Sequence, residues 1–171
     1  MPYPVYPAGR RITASLLQAA IPLEAMKAAD TDRASTTTVT ADPELVLALA
    51  ASAEYQIEGM ILTSCSVAGV SGGPDILCTL AGPAGAVGNW TLMGPSTAAT
   101  SDDNAVRQRA FTLGSTAGYG HPNTNTIAMI LHARIITTTA GTASFNWAQV
   151  ASNAAATRVA AGSWLRATRT G

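Results

Sequence analysis

Charge is scarce in this sequence. Asp, Glu, Lys and Arg make up 12% of its 171 residues, about half the usual share. Ten basic residues balance ten acidic ones, so the formal net charge is zero. Arg10-Arg11 is the one adjacent basic pair. With no basic run or stripe, a nucleic-acid partner is excluded. Long apolar runs are missing too, which excludes a membrane-spanning helix. The opening Met1-Pro2-Tyr3-Pro4-Val5-Tyr6-Pro7 lacks the basic region and continuous apolar core of a secretory signal. A protein made and assembled in a cytoplasm is therefore expected. Two cysteines, Cys65 and Cys78, are too few for a disulfide framework. They flank Ser71-Gly72, read as a hairpin turn, and could face each other across a strand pair. In a reducing compartment they are expected as buried thiols. The only histidines, His121 and His132, show no metal-ligand spacing. No metal and no cofactor is expected.

What is present is small and apolar. Hydrophobic residues are 47% of the chain, supplied mostly by Ala, Val, Leu and Ile, and aromatics only 5%. The length suits one domain with an appendage. An uncharged Ser/Thr/Ala-rich surface is poorly suited to a lone monomer. It suggests a surface lying against copies of the same chain or a larger assembly.

The pattern divides the chain at residue 33. In 1–33 a Pro-Tyr lead is extended, because proline fixes its own φ and restricts its predecessor. Ile12, Leu16, Leu17, Ala20 and Ile21 then fall on one face of a predicted short helix that ends at Pro22. So short a helix needs a surface to dock on, either the β-domain of its own chain or another protein of an assembly. From 34 to 171 every signal is β. Leu45, Leu47 and Leu49 share one face; so do Tyr55, Ile57, Gly59 and Ile61, and Ile76, Cys78 and Leu80. Further strands are read at 36–40, 90–93, 106–113, 127–139, 143–150, 157–160 and 163–168. Asp42-Pro43 and Gly82-Pro83-Ala84-Gly85 read as turns, and Gly118-Tyr119-Gly120-His121-Pro122 as an exposed loop. The fold class expected is an all-β, jelly-roll-like antiparallel sandwich preceded by an extended arm and one short helix. Tyr55, Trp90, Phe145, Trp147, Trp164 and Leu165 are its predicted core or trimer anchors.

Gly69-Val70-Ser71-Gly72-Gly73 matches the Gly-x-Ser-x-Gly string of hydrolases. That chemistry needs a strand-to-helix elbow, and a strand follows instead. A triad of Ser71, Asp102 or Asp103, and His121 or His132 has no α/β sheet to hold it. Ser71 is read as a turn residue, and no catalytic residue is assigned. Trp90, Trp147 and Trp164 could serve as sugar-stacking platforms, which keeps a carbohydrate-binding module as an alternative.

The final stretch is the most distinctive. Ala143-Ser144-Phe145-Asn146-Trp147-Ala148-Gln149 leads through Ser152-Asn153-Ala154 to Gly162-Ser163-Trp164-Leu165-Arg166-Ala167-Thr168-Arg169. A closing strand of this kind suits the middle of a sheet. Together with the opening Gly9-Arg10-Arg11-Ile12-Thr13-Ala14-Ser15-Leu16-Leu17, it resembles virion structural proteins of actinobacterial phages and prophages. Further resemblance lies in Asp30-Thr31-Asp32-Arg33, Asp42-Pro43-Glu44-Leu45, Ala51-Ser52-Ala53-Glu54-Tyr55 and Ala81-Gly82-Pro83-Ala84-Gly85. The resemblance implies a non-enzymatic homotrimer on the virion exterior, either decorating the capsid or serving as a minor tail or tail-fibre protein. It also implies that the N-terminal segment binds the major capsid protein or another virion protein. Tyr3, Tyr6, Arg10, Arg11, Ile12, Leu16, Leu17 and Ile21 are the expected anchoring residues. A host-surface glycan is a further partner under the tail reading.

Overall fold

The computed structural model describes residues 21–66, 74–99, 106–122 and 124–171, together with residues 9, 11 and 13. Its strands are β1 (Leu23–Met26), β2 (Thr31–Arg33), β3 (Thr40–Leu49), β4 (Ala53–Cys65), β5 (Ile76–Ala81), β6 (Val87–Pro95), β7 (Val106–Arg107), β8 (Phe111–Thr112), β9 (Ala117–Tyr119), β10 (Ile127–Thr137), β11 (Gly141–Gln149), β12 (Thr157–Val159) and β13 (Trp164–Arg169). No helix occurs among the described residues. The helix expected over 12–21 lies almost wholly outside them, and Ile21, at its end, is a bend residue 64% exposed.

The strands form two antiparallel sheets. The smaller runs β3-β11-β5-β9; the larger runs β1-β13-β4-β10-β6-β7, with β12 paired to β2 and β4, and β8 paired to β6. Between β3 and β11 the pairing is nested. The first strand pairs with the last (β3 with β11), the second with the next to last (β4 with β10), then β5 with β9 and β6 with β7 and β8. That is a long hairpin rolled over on itself, the jelly roll. The C-terminal strand β13 then lies between β4 and β1, inside its sheet as the sequence suggested.

Period-2 alternation builds the core. Leu45, Leu47 and Leu49 of β3, Tyr55, Ile57 and Ile61 of β4, and Ile76, Cys78 and Leu80 of β5 are all buried. They meet Trp90, Leu92, Met129, Leu131, Ile135, Phe145, Trp147 and Leu165 between the layers. The Tyr119 hydroxyl donates to the Leu92 carbonyl at 2.6 Å, tying the smaller sheet to the larger. Gly59 faces the closing strand so closely that a Cβ there would lie 2.5 Å from the Trp164 carbonyl oxygen and 2.7 Å from Leu165 Cδ2. Gly59→Ala should therefore lower stability by about 1–3 kcal/mol, the usual range for overpacking. A denaturant midpoint that moves at unchanged slope would report this.

Several readings are corrected by the fold. Residues 23–33 belong to the sandwich, since β1 pairs with β13 and β2 with β12 across the boundary drawn at residue 33. Asp42-Pro43 is not a turn between strands. It sits inside β3, where the register against β11 shifts between Ser144 and Asn146. A bulge tolerates proline because no ladder amide is needed there. Cys65 and Cys78 do not face each other. They lie in β4 and β5, which belong to opposite sheets and do not pair with each other; Ser71 and Gly72, read as a turn, lie outside the described residues. Gly118-Tyr119-Gly120-His121 is not an exposed loop: Ala117–Tyr119 is a strand, and Tyr119 and His121 are buried. Trp164 is not core. It alternates with buried Leu165 and lies half-buried on the outer face of the larger sheet.

Candidate interaction surface

Three places concentrate polar or exposed apolar groups: the root of the N-terminal strand, a buried histidine, and the outer face of the larger sheet.

At the root, the chain leaves the ladder between β1 and β2 and turns Lys27, the only lysine, into the interior. Its ammonium has three donors, and each finds an oxygen: Thr31 Oγ1 at 2.7 Å, Asp42 Oδ1 at 3.1 Å and Glu44 Oε2 at 3.1 Å. Asp42 is fully buried in the bulge. Its Oδ1 also accepts from the amides of Glu44 (3.0 Å) and Leu45 (3.3 Å), and its Oδ2 from Trp147 Nε1 at 3.1 Å. The Ala28 amide, then Lys27, hold the Glu44 carboxyl below its ordinary range. Arg33 stacks 4.2 Å from the centroid of the Trp147 ring and donates to the carbonyls of Thr40, Ala41 and Trp147. Outside, Arg158 grips Asp32 with two bonds, at 2.7 and 2.8 Å, and Asp30 with one at 2.7 Å. That bidentate geometry is the strong form of the pair, and it holds the Asp32 carboxyl below its ordinary range.

His121 is the second place. Its amide donates to Asp75 Oδ1 at 2.9 Å, so this carboxylate holds the backbone and does not orient the ring. Nδ1 lies 3.1 Å from the Pro74 carbonyl, and Nε2 lies 2.9 Å from Thr63 Oγ1. A carbonyl only accepts, so the neutral ring is assigned its proton on Nδ1. The single Thr63 hydroxyl proton is then shared between Nε2 and the Arg158 carbonyl, 2.8 Å from Oγ1. Burial pushes the His121 imidazole down to about 4, against a weaker opposite effect of the Pro74 carbonyl. The unfolded chain, with an ordinary value of about 6.5, then binds the proton first as pH falls. Stability is complete above about pH 6.5 and is lost down to about pH 4, by at most roughly 3 kcal/mol. Burial raises Asp75, which partly offsets the loss at the acid end. Melting temperatures at pH 7 and pH 4.5 should differ markedly in the wild type and less in His121→Gln.

The third place is the outer face of the larger sheet. Register aligns Met26 with Trp164, Trp164 with Met60, Met60 with Ile130, and Ile130 with Met93. One apolar row thus crosses β1, β13, β4, β10 and β6. Met26 is 70% exposed, and Ile130 and Met93 are each 37% exposed. The neighbouring row is Glu24, Arg166, Glu58, His132 and Thr91 in the same strand order. Its charges alternate, with Arg166 2.8 Å from Glu24 and 3.8 Å from Glu58. Beside it lies a groove of about 420 Å³ lined by Gln56, Glu58, Asn89, Thr91, His132, Arg134 and Thr168.

Of the residues expected to matter, Tyr55, Trp90, Phe145, Trp147 and Leu165 are in the core and Trp164 is on the outer face. Arg11 and Ile21 are exposed. Tyr3, Tyr6, Arg10, Ile12, Leu16 and Leu17 lie outside the described residues, as do Ser71, Asp102 and Asp103. Lys27, Met26, Met60, Ile130 and Met93 were not singled out in the sequence, and Asp42 was read only as part of a turn and a resemblance motif. A lone lysine in an otherwise lysine-free chain was the available signal for the first.

No known family model matches the chain, and neither does any curated protein. Among solved structures, two of infectious bursal disease virus, the Gx and Gt strains, align at 13% and 11% identity with TM-scores of 0.21 and 0.17. The alignments cover 87% and 99% of this chain but 40% and 46% of the viral ones, so this chain spans less than half their length. Scores that low define no shared fold, and the jelly roll rests on strand pairing alone.

Proposed function

We propose that this chain is a non-enzymatic structural protein of a bacteriophage particle: a homotrimer that decorates the outside of the capsid and is held there by the residues preceding β1. The observation that carries this reading is the construction of the root. β1 lies at the edge of the larger sheet, and the chain before it starts from a segment fixed by Lys27, Arg33 and Arg158. A pull on that segment is delivered to buried ionic bonds and a nine-stranded sheet, as an attachment arm requires. The resemblance of the N-terminal and C-terminal motifs to phage virion proteins points the same way, as does the neutral surface. Mixing the protein with particles that lack it tests the reading. The full chain should bind saturably, and a form beginning at Ile21 should fold with the same melting temperature yet fail to bind. Equal binding of both forms would remove the arm from the account.

The groove beside the charged row, which mixes polar side chains with Ile57, Trp90, Ala110 and Ala133, favours a second reading, a tail or tail-fibre protein that touches host-surface glycan. Its amides, hydroxyl groups and carboxylate are the groups that hydrogen-bond sugar hydroxyls. Binding to purified cell wall that is lost in Asn89→Ala and His132→Ala, with the trimer intact, would support the tail over the capsid.

A further inference from the structure

We propose that copies of this chain meet through the outer face of the larger sheet, with the β6–β7 end of the apolar row in one copy seated in a depression at the β1–β13 end of the next. This rests on the trimer reading above and names the surface that makes the trimer. The two ends of the row differ in shape. At one end, a depression of about 220 Å³ lies among Glu24, Ala25, Met26, Trp164, Leu165 and Arg166. At the other, Met93 stands 37% exposed and Val106, beside it across the Pro95 pairing, 61% exposed. A hole at one end and a knob at the other make a head-to-tail contact, which closes into a ring when the rotation allows. Methionine suits such a knob because its unbranched side chain adapts to irregular gaps.

Charge agrees with a copy as the occupant. Glu24, 62% exposed at its side chain, lines the depression, and Arg109 is exposed in the segment between β7 and β8 at the knob end. Glu24 gives Arg166 only its Oε1; the remaining face charges are taken up within the chain, Arg134 with Glu54 at 2.7 Å and Arg166 with Glu24 and Glu58. A strongly charged partner would find nothing to neutralise, whereas this chain has a formal net charge of zero. Size sets a condition. Five strands about 4.8 Å apart, along strands of about 3.4 Å per residue, present roughly 700 Å² as a whole face, against ~800 Å² per partner of a stable interface, so the contact has to extend along the face beyond the two ends of the row.

Sedimentation equilibrium of the full chain at about 10 µM, near the range where interfaces of this size hold, tests the proposal. The wild type should sediment as a trimer. Met93→Glu and Met26→Glu should each sediment as monomers, with circular dichroism unchanged. Val150→Glu, at a residue 39% exposed and remote from the row, should remain a trimer. If both row variants stay trimeric, the face assignment is overturned while the trimer stands. Loss of the trimer in Val150→Glu as well would also overturn it. A monomeric wild type would sink both readings. So would a wild-type monomer whose Met93 resists peroxide until residues 1–20 are removed, since the chain's own N-terminal segment would then be the occupant.

Discussion

Asp42→Ala should destabilise the protein by about 3–5 kcal/mol, the cost of breaking a buried ion pair and leaving Lys27 with Glu44, a partly exposed carboxylate, as its one counter-charge. The substitution takes the Oδ1 partner from Lys27, two amide contacts from the bulge and the acceptor from Trp147 Nε1. Lys27 is 1% exposed and cannot recover water without leaving the fold. Set against a total stability of about 5–15 kcal/mol, such a loss is large. The expected observation is a sharp fall in melting temperature, together with earlier proteolysis on the N-terminal side of Thr31. The double variant Lys27→Met, Asp42→Leu should recover much of the loss, because apolar pairs of similar volume often replace buried ion pairs at little cost. If Asp42→Ala melted within a degree or two of the wild type, Lys27 would have another way to be satisfied and the root would not be clamped.

Trp147→Ala should cost about 3–5 kcal/mol as well, as large-to-small changes in a packed core do. Trp147 is fully buried, lies under Arg33 and donates to Asp42. Its loss should not add to that of Asp42→Ala, because the two share a hydrogen bond and a cavity wall. Trp164→Ala makes the contrast. On the outer face it should leave the fold nearly as stable and weaken the contact between copies instead. Chemical denaturation of the three variants, with assembly state measured alongside, checks both statements. A Trp147→Ala protein with wild-type stability would contradict the packing described here.

The alternation of apolar residues made most strands legible, because the jelly roll buries one face of each. Leu45-Leu47-Leu49, Tyr55-Ile57-Ile61 and Ile76-Cys78-Leu80 all proved to be core faces. What escaped has physical causes. β1 and β2 are short and held by their partners more than by their own pattern. Asp42-Pro43 carries turn chemistry, and it does bend the chain, but within a strand. Tyr119 and His121 lie among glycines that hide a strand of only three residues. Trp164 was expected as a core or trimer anchor, and the sign that separates the two was available: it shares strand parity with Arg166, so a solvated arginine puts the tryptophan on the outer face and not in the core. Period 2 shows that a strand has two faces, and register across five strands was needed to show that Met26, Trp164, Met60, Ile130 and Met93 form one row. The candidate surface was therefore almost entirely a product of pairing.

The most direct measurement is quantitative mass spectrometry of purified phage particles that carry this gene, combined with a reconstruction of their capsids. The expected result is this chain in the particle at a copy number divisible by three, on the outer capsid surface, with the residues before Leu23 directed at the shell. Its absence from purified particles would contradict the account outright.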